Sequence, residues 1–190
     1  MEQCQCGQKL INYEPNHLKV TNRGYKRIAI VGKGLTAPFY EHSHDAYIAL
    51  NDAIYIVEAA PLYLLKADVG THCTQELPEC TAIVPKHVLP NNPDALWFDW
   101  ADLGLNRRTC TLCCALSLAN LWGAECITMY GFDKLLNSEW GEYFIANPRN
   151  SEPLGDQKPM LRELPNVLLE KCWLMDRIHH LVKLTELLYK

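Results

Sequence analysis

A mostly parallel α/β sheet is the fold class this sequence predicts, and three observations predict it. Two apolar runs, Arg27-Ile28-Ala29-Ile30-Val31 and Ala124-Glu125-Cys126-Ile127-Thr128-Met129-Tyr130, each run directly into glycine, at Gly32 and Gly131. A small-residue helical pattern over 109–122 leads through Gly123 into the second of them. Buried parallel strands read as continuous apolar runs of this kind. Strands alternating with helices then indicate α/β, and right-handed crossovers would place helices on both faces of the sheet.

The elements follow in order. Residues 1–24, with Asn12, Pro15, Asn16, Asn22 and Gly24, read as an N-terminal arm, and 25–190 as a single α/β domain. After the strand at 27–31, residues 34–44 form a loop or short helix broken near Pro38. Asp45 to Leu50 reads as a strand closed by Asn51-Asp52. The stretch 53–65 fits a helix by Ile54, Val57, Leu62 and Leu65, but Pro61 interrupts it. A third element ends at Lys66-Ala67-Asp68-Val69-Gly70, Thr81–Val84 is a short strand, and 86–108 is a connector carrying Trp97, Phe98 and Trp100. In the helix at 109–122, Leu112, Ala115, Leu116, Ala119 and Trp122 keep helical spacing, with Thr109 as N-cap and Gly123 just past the C-terminus. A polar stretch runs to about 165. The spacing of Val167, Leu168, Cys172, Met175, Ile178, Leu181, Val182, Leu184 and Leu188 predicts a last helix over 166–189.

Composition narrows the function classes. A chain of 190 residues is long enough for one self-sufficient core. Net charge is −4 with no run of Lys or Arg, so no nucleic-acid partner is expected. Nothing reaches the length of a membrane span, and Met1-Glu2-Gln3-Cys4 lacks the basic start and apolar stretch of a signal peptide. The expected location is cytoplasmic. Nine cysteines, an odd number, argue for free thiols over a disulfide framework. Cys113, Cys114 and Cys126 read as small core residues. Cys4-x-Cys6 and Cys110-x-x-Cys113 have zinc-thiolate spacing, but neither has a matching second pair, so structural zinc is not expected.

In open α/β sheets, ligands bind beyond the carboxyl ends of the strands. Gly32-Lys33-Gly34 stands at such an end, where missing Cβ atoms let backbone amides approach a phosphate. Asn51 and Asp52 close the next strand, and an amide there can read a base or ribose edge. Asp68 and Asp133 are carboxylates at two further strand ends, of the kind that hold Mg²⁺ or a hydroxyl. His42-x-His44 has metal or acid/base spacing, with His72 and Cys73 nearby in sequence to Asp68. His179 and His180 lie in the last segment, where an imidazole could serve as general acid or base.

Taken in order, Ile28-Ala29-Ile30-Val31-Gly32-Lys33-Gly34 and His44-Asp45-Ala46-Tyr47-Ile48-Ala49-Leu50-Asn51 resemble the opening of sialyltransferase-like glycosyltransferases. The stretch from Thr109 through Gly123-Ala124-Glu125-Cys126-Ile127 to Gly131-Phe132-Asp133 is similar to their second motif. It is similar also to the archaeal hydroxymethylpterin pyrophosphokinase-like family, which shares a Rossmann-like core. The resemblance spans about half of the chain. It implies a Rossmann-like domain whose two motifs cradle a nucleotide sugar, with Gly32, Gly34, Asn51 and Asp133 inheriting nucleotide contacts and His179 or His180 as base. Lys33 stands where those enzymes carry asparagine, and a lysine between glycines suits an anionic phosphate.

Three functions are therefore expected from the sequence. The first is a glycosyltransferase-like enzyme binding a nucleotide-activated sugar through Gly32, Lys33, Gly34, Asn51, Asp52 and Gly131, with Asp133, His179 and His180 catalytic. The second is a Mg²⁺-dependent phosphotransferase or nucleotide hydrolase with Asp68 and Asp133 as metal ligands. The third is a non-catalytic protein that binds a nucleotide or a partner.

Overall fold

A computed structural model of the chain describes residues 16–67, 79–86, 95–106, 109–136 and 157–189. Its strands are β1 (Asn16–His17), β2 (Arg27–Val31), β3 (Ala46–Leu50), β4 (Leu62–Leu65), β5 (Thr81–Pro85), β6 (Leu96–Phe98), β7 (Cys126–Tyr130), β8 (Cys172–Met175) and β9 (Leu181–Lys183). They form one sheet in the order β1-β6-β5-β4-β3-β2-β7-β8-β9. Every pairing is parallel except β8 with β9. From β2 the chain adds β3 to β6 outward on one side, then crosses over to add β7 and β8 on the other. The order reverses between β2 and β7. In open α/β sheets, a reversal of this kind is where ligand-binding crevices lie, beyond the carboxyl ends of the two strands.

Alternation along the central strands divides the interior in two. Ile28 and Ile30 of β2 join Ile48, Leu65, Ile83, Phe98, Ile127 and Met129 on one face. That face is covered by α1 (Thr111–Leu121) and by α3 (Lys158–Leu161), α4 (Asn166–Leu169) and α5 (Leu184–Leu188), through Leu116, Leu161, Leu168 and Leu188. Ala29 and Val31 point the other way, toward Ala49, Leu64 and Tyr130. Among the described residues that second face is covered by single-turn 3-10 segments, Ala37–Phe39 and Asn51–Tyr55, through Ala37, Ala53 and Ile54. α2 (Asp133–Leu136) follows β7 directly. Residues 111–119 of α1 are all buried, and each fully buried Leu there contributes about 1.5–3 kcal/mol of transfer free energy. Among the described residues, no helix is long and apolar enough to cross a membrane.

The strands at 27–31, 46–50, 81–85 and 126–130 lie where the apolar runs predict them. The helix of 109–122 forms over 111–121, with Cys110 rather than Thr109 at the N-cap. The 53–65 stretch resolves into the 3-10 turn at Asn51–Tyr55 and β4, which starts one residue after Pro61. The arm ends in the sheet: β1 pairs with β6, and Leu18 is buried. Asp68, His72, Cys73, Cys4 and Cys6 lie outside the described residues.

The last helix is the main correction. In place of one helix over 166–189 stand α4, β8, a turn, β9 and α5. Val167, Ile178 and Leu181, which a helix would have turned inward, are 63%, 67% and 49% exposed. The run Cys172-Trp173-Leu174-Met175 is instead an inner strand, parallel to β7 with Ile127 opposite Cys172. The turn between β8 and β9 is held by Asp176, whose Oδ1 accepts from the backbone amides of Ile178 (2.9 Å) and His180 (2.8 Å). His179 takes the left-handed conformation there, at φ +66°. Replacing Asp176 by Ala removes the one oxygen that accepts both bonds. We expect it to cost about 1 kcal/mol and to accelerate amide hydrogen exchange at Ile178 and His180; unchanged protection at both would contradict the turn.

Candidate functional site

The crevice is built from two loops locked together. The amide of Gly32 donates to the Tyr130 carbonyl (2.7 Å), and that of Gly34 to the Gly131 carbonyl (2.8 Å). Both glycines permit this approach by lacking a side chain. A Cβ on Gly34 would stand 2.7 Å from the Gly131 oxygen and overlap Asp133 Oδ2. Gly131 is at φ +76°, a left-handed conformation open to glycine, and a Cβ there would meet the Gly32 oxygen at 2.6 Å. The sequence expects the Gly32 and Gly34 amides to face a phosphate. The structure gives both to carbonyls across the crevice, so their part is to seat one loop against the other.

Thr36 completes the lock. Its Oγ1 accepts from the Gly131 amide (2.8 Å) and donates to Asp133 Oδ2 (3.1 Å), which also accepts from the Thr36 amide (3.1 Å). Asp133 is 2% exposed, and its second oxygen, Oδ1, is buried with no hydrogen-bond partner among the described residues. A buried acceptor left unmatched carries a desolvation penalty that a donor or a cation at that point would relieve. Asp133 is thus half committed to structure and half available.

The neighbouring strand supplies the other groups. Lys33, 8% exposed, directs Nζ to within 3.6 Å of Asp52 Oδ2, bridging the exits of β2 and β3. Asn51 sits at φ +53°, in a left-handed conformation that asparagine tolerates better than most residues, at the first position of the 3-10 turn. The structure therefore brings Gly32, Lys33, Gly34, Asn51, Asp52, Gly131 and Asp133 to adjoining strand exits. The hairpin of β8 and β9 turns at the same edge of the sheet, because β8 runs parallel to β7. His179, at its tip, lays its ring on that of Phe39 with centroids 3.7 Å apart. The two histidines reach the carboxyl edge from a turn, not from a helix.

Two contributors are not singled out by the sequence reading. Thr36 gives no motif signal, since a single threonine in the loop beyond a strand is unremarkable. The N-terminus of α1 is the other. β6 and β7 lie parallel in one sheet, so α1 between them runs back along it and starts at the carboxyl edge, packing on β2 and β3. Helix direction in a crossover is legible once the strands on either side are known, and β6 was hidden in the connector. His42 and His44 do not join this group. His44 Nδ1 lies 3.0 Å from the Glu41 carbonyl, and His42 packs on Tyr40. Among the described residues no three His, Cys, Asp or Glu side chains gather as a metal site. For Mg²⁺, Asp133 Oδ1 offers one oxygen of the right chemistry.

The chain matches no family model, no curated protein and no solved structure. What the crevice does must be read from its own groups.

Two substitutions test the lock. Thr36→Val keeps the shape but leaves the Gly131 amide and Asp133 Oδ2 short of a partner; a loss of about 1–3 kcal/mol is expected in urea unfolding, with Thr36→Ser restoring most of it. Gly34→Ala forces a methyl against the Gly131 carbonyl, and a loss of about 1–3 kcal/mol is expected from overpacking. Wild-type stability in either the Thr36→Val or the Gly34→Ala variant would show that the loops do not meet as described.

Proposed function

We propose that this crevice binds a nucleotide-activated sugar and that the protein is a glycosyltransferase-like enzyme on a Rossmann-like core with helical layers on both faces. The observation that carries the proposal is Asp133 Oδ1, buried and unpartnered among the described residues at the point where the strand order reverses. A carboxyl oxygen in that position suits a hydroxyl donor, such as a ribose edge. Lys33 supplies positive charge at the adjoining exit of β2, and the 11-residue α1 starts at the same edge, where the helix dipole favours an anion. Asn51, at the exit of β3, carries an amide of the kind that reads a base edge. His179, in the hairpin at that edge, is the candidate base for the acceptor hydroxyl, with His180 beside it.

Thermal unfolding with cytidine and uridine nucleotides and their sugar conjugates, each with Mg²⁺ or EDTA, tests the proposal. A ligand at about a hundred times its dissociation constant adds roughly 2.7 kcal/mol. We expect stabilisation by a pyrimidine nucleotide in EDTA, and its loss in Asp133→Asn protein. A shift that appears only with Mg²⁺ would favour a phosphotransferase in which Asp133 holds the metal. No shift with any nucleotide would overturn the assignment.

A further inference from the structure

Nothing in the crevice accounts for Cys110 and Cys113. Cys110 is the N-cap of α1, in extended conformation at φ −74° and ψ 157°, and Cys113 lies in the first turn. Their Sγ atoms are 3.3 Å apart. Cys110 is half-buried and Cys113 fully buried. A cysteine pair spaced by two residues across a helix N-terminus is the arrangement in which one thiol is activated and the other resolves. Zinc is poorly served by the same pair, because no third metal-ligating side chain joins it among the described residues. We propose that Cys110 and Cys113 form a redox-active dithiol that exchanges with low-molecular-weight disulfides, Cys110 attacking and Cys113 resolving.

The chemistry balances with a disulfide RSSR as oxidant. Cys110 thiolate attacks one sulfur of RSSR, forming a mixed disulfide and expelling RS⁻. Cys113 then gives its proton to a departing thiolate and attacks Cys110 Sγ, expelling the second RS⁻, which takes up from solvent the proton that Cys110 released on ionising. Two cysteine thiols are oxidised to one disulfide, and RSSR is reduced to two RSH. The division of labour follows from the surroundings. The Cys113 thiol, the amides of Cys113 and Leu112 and the Thr109 hydroxyl hold Cys110 down to about 7 against the opposing effect of burial, whereas Cys113 is pushed up. Among the described residues, the titratable neighbours that act on the pair are each other and Cys114. Burial raises Cys80 and pushes Cys172 up to about 12, so neither competes as a nucleophile. At pH 7 a thiol lowered from about 8.5 to about 7 carries roughly fifteenfold more thiolate. Its weaker intrinsic nucleophilicity returns part of that, leaving about a threefold gain in exchange rate.

The experiment is titration of the reduced full chain with oxidised glutathione, then alkylation of remaining thiols and peptide mass analysis. A Cys110–Cys113 disulfide is expected in wild-type protein. Cys113→Ser should stop at glutathione attached to Cys110, and Cys110→Ser should leave Cys113 reduced. The wild-type chain also gives a reading that needs no variant: alkylation of Cys110 should rise with pH to half its maximum near pH 7. Both cysteines remaining reduced under excess oxidised glutathione, a disulfide to a different cysteine, or an alkylation midpoint at the ordinary thiol value would each overturn the proposal.

Discussion

The hydrogen bonds joining Thr36, Gly131 and Asp133 hold the two halves of this sheet's carboxyl edge together. Backbone pairing between the two loops ends with the bonds from Gly32 to Tyr130 and from Gly34 to Gly131, and beyond them something other than sheet pairing must fix the gap. Here one side chain does so by donating to a carboxylate and accepting from a backbone amide at once. The arrangement demands glycine at three places, because Gly32, Gly34 and Gly131 approach one another more closely than any Cβ permits. The ladder of β2 with β7 and the seat of Asp133 both meet at this contact.

The same contact explains why the acid is buried without being consumed. Asp133 Oδ2 is satisfied twice, from one residue, while Oδ1 is buried with no donor among the described residues. A purely structural carboxylate would be expected to use both oxygens, since buried acceptors are almost always matched. Lys33 is held comparably: a nearly buried cation bridged to Asp52 on the adjoining strand exit. Opposite charges are thereby set at neighbouring exits in a region of restricted solvent access, where their fields are less screened than at an open surface.

The sheet was readable because its central strands are buried on both faces. Ile28 to Val31, Ala46 to Leu50 and Ile127 to Tyr130 cannot be solvated on either side, so the first two show as unbroken apolar runs and the third is interrupted only by the buried Thr128. The C-terminal segment defeated the same reasoning. Its apolar residues happen to recur at helical intervals, yet Ile178 and Leu181 are exposed and the turn between them carries no glycine, proline or asparagine to announce it. Asp176 sets the turn through side-chain acceptance, and His179 takes a backbone conformation usually left to glycine. Of the site, the strand-end residues were legible by position: Lys33, Asn51, Asp52 and Asp133 do gather. The function of the glycines was not, since a tight packing of backbone on backbone and a bare approach to phosphate require the same residue. Thr36 was invisible because its partner lies 97 residues away.

The two ends of the sheet bear on how this molecule keeps company with its own kind. The described sheet finishes in β1, two residues long, and in β9, three residues long and reversed in direction. The five-residue strands all lie inside it. A long flat border of unpaired amides and carbonyls is what invites a strand from another chain. Among the described residues each border offers only a few such groups, with His17 stacked on Trp97 at one and a lysine at the other. The longest template for runaway strand addition is kept in the middle of the protein, where it already has neighbours on both sides.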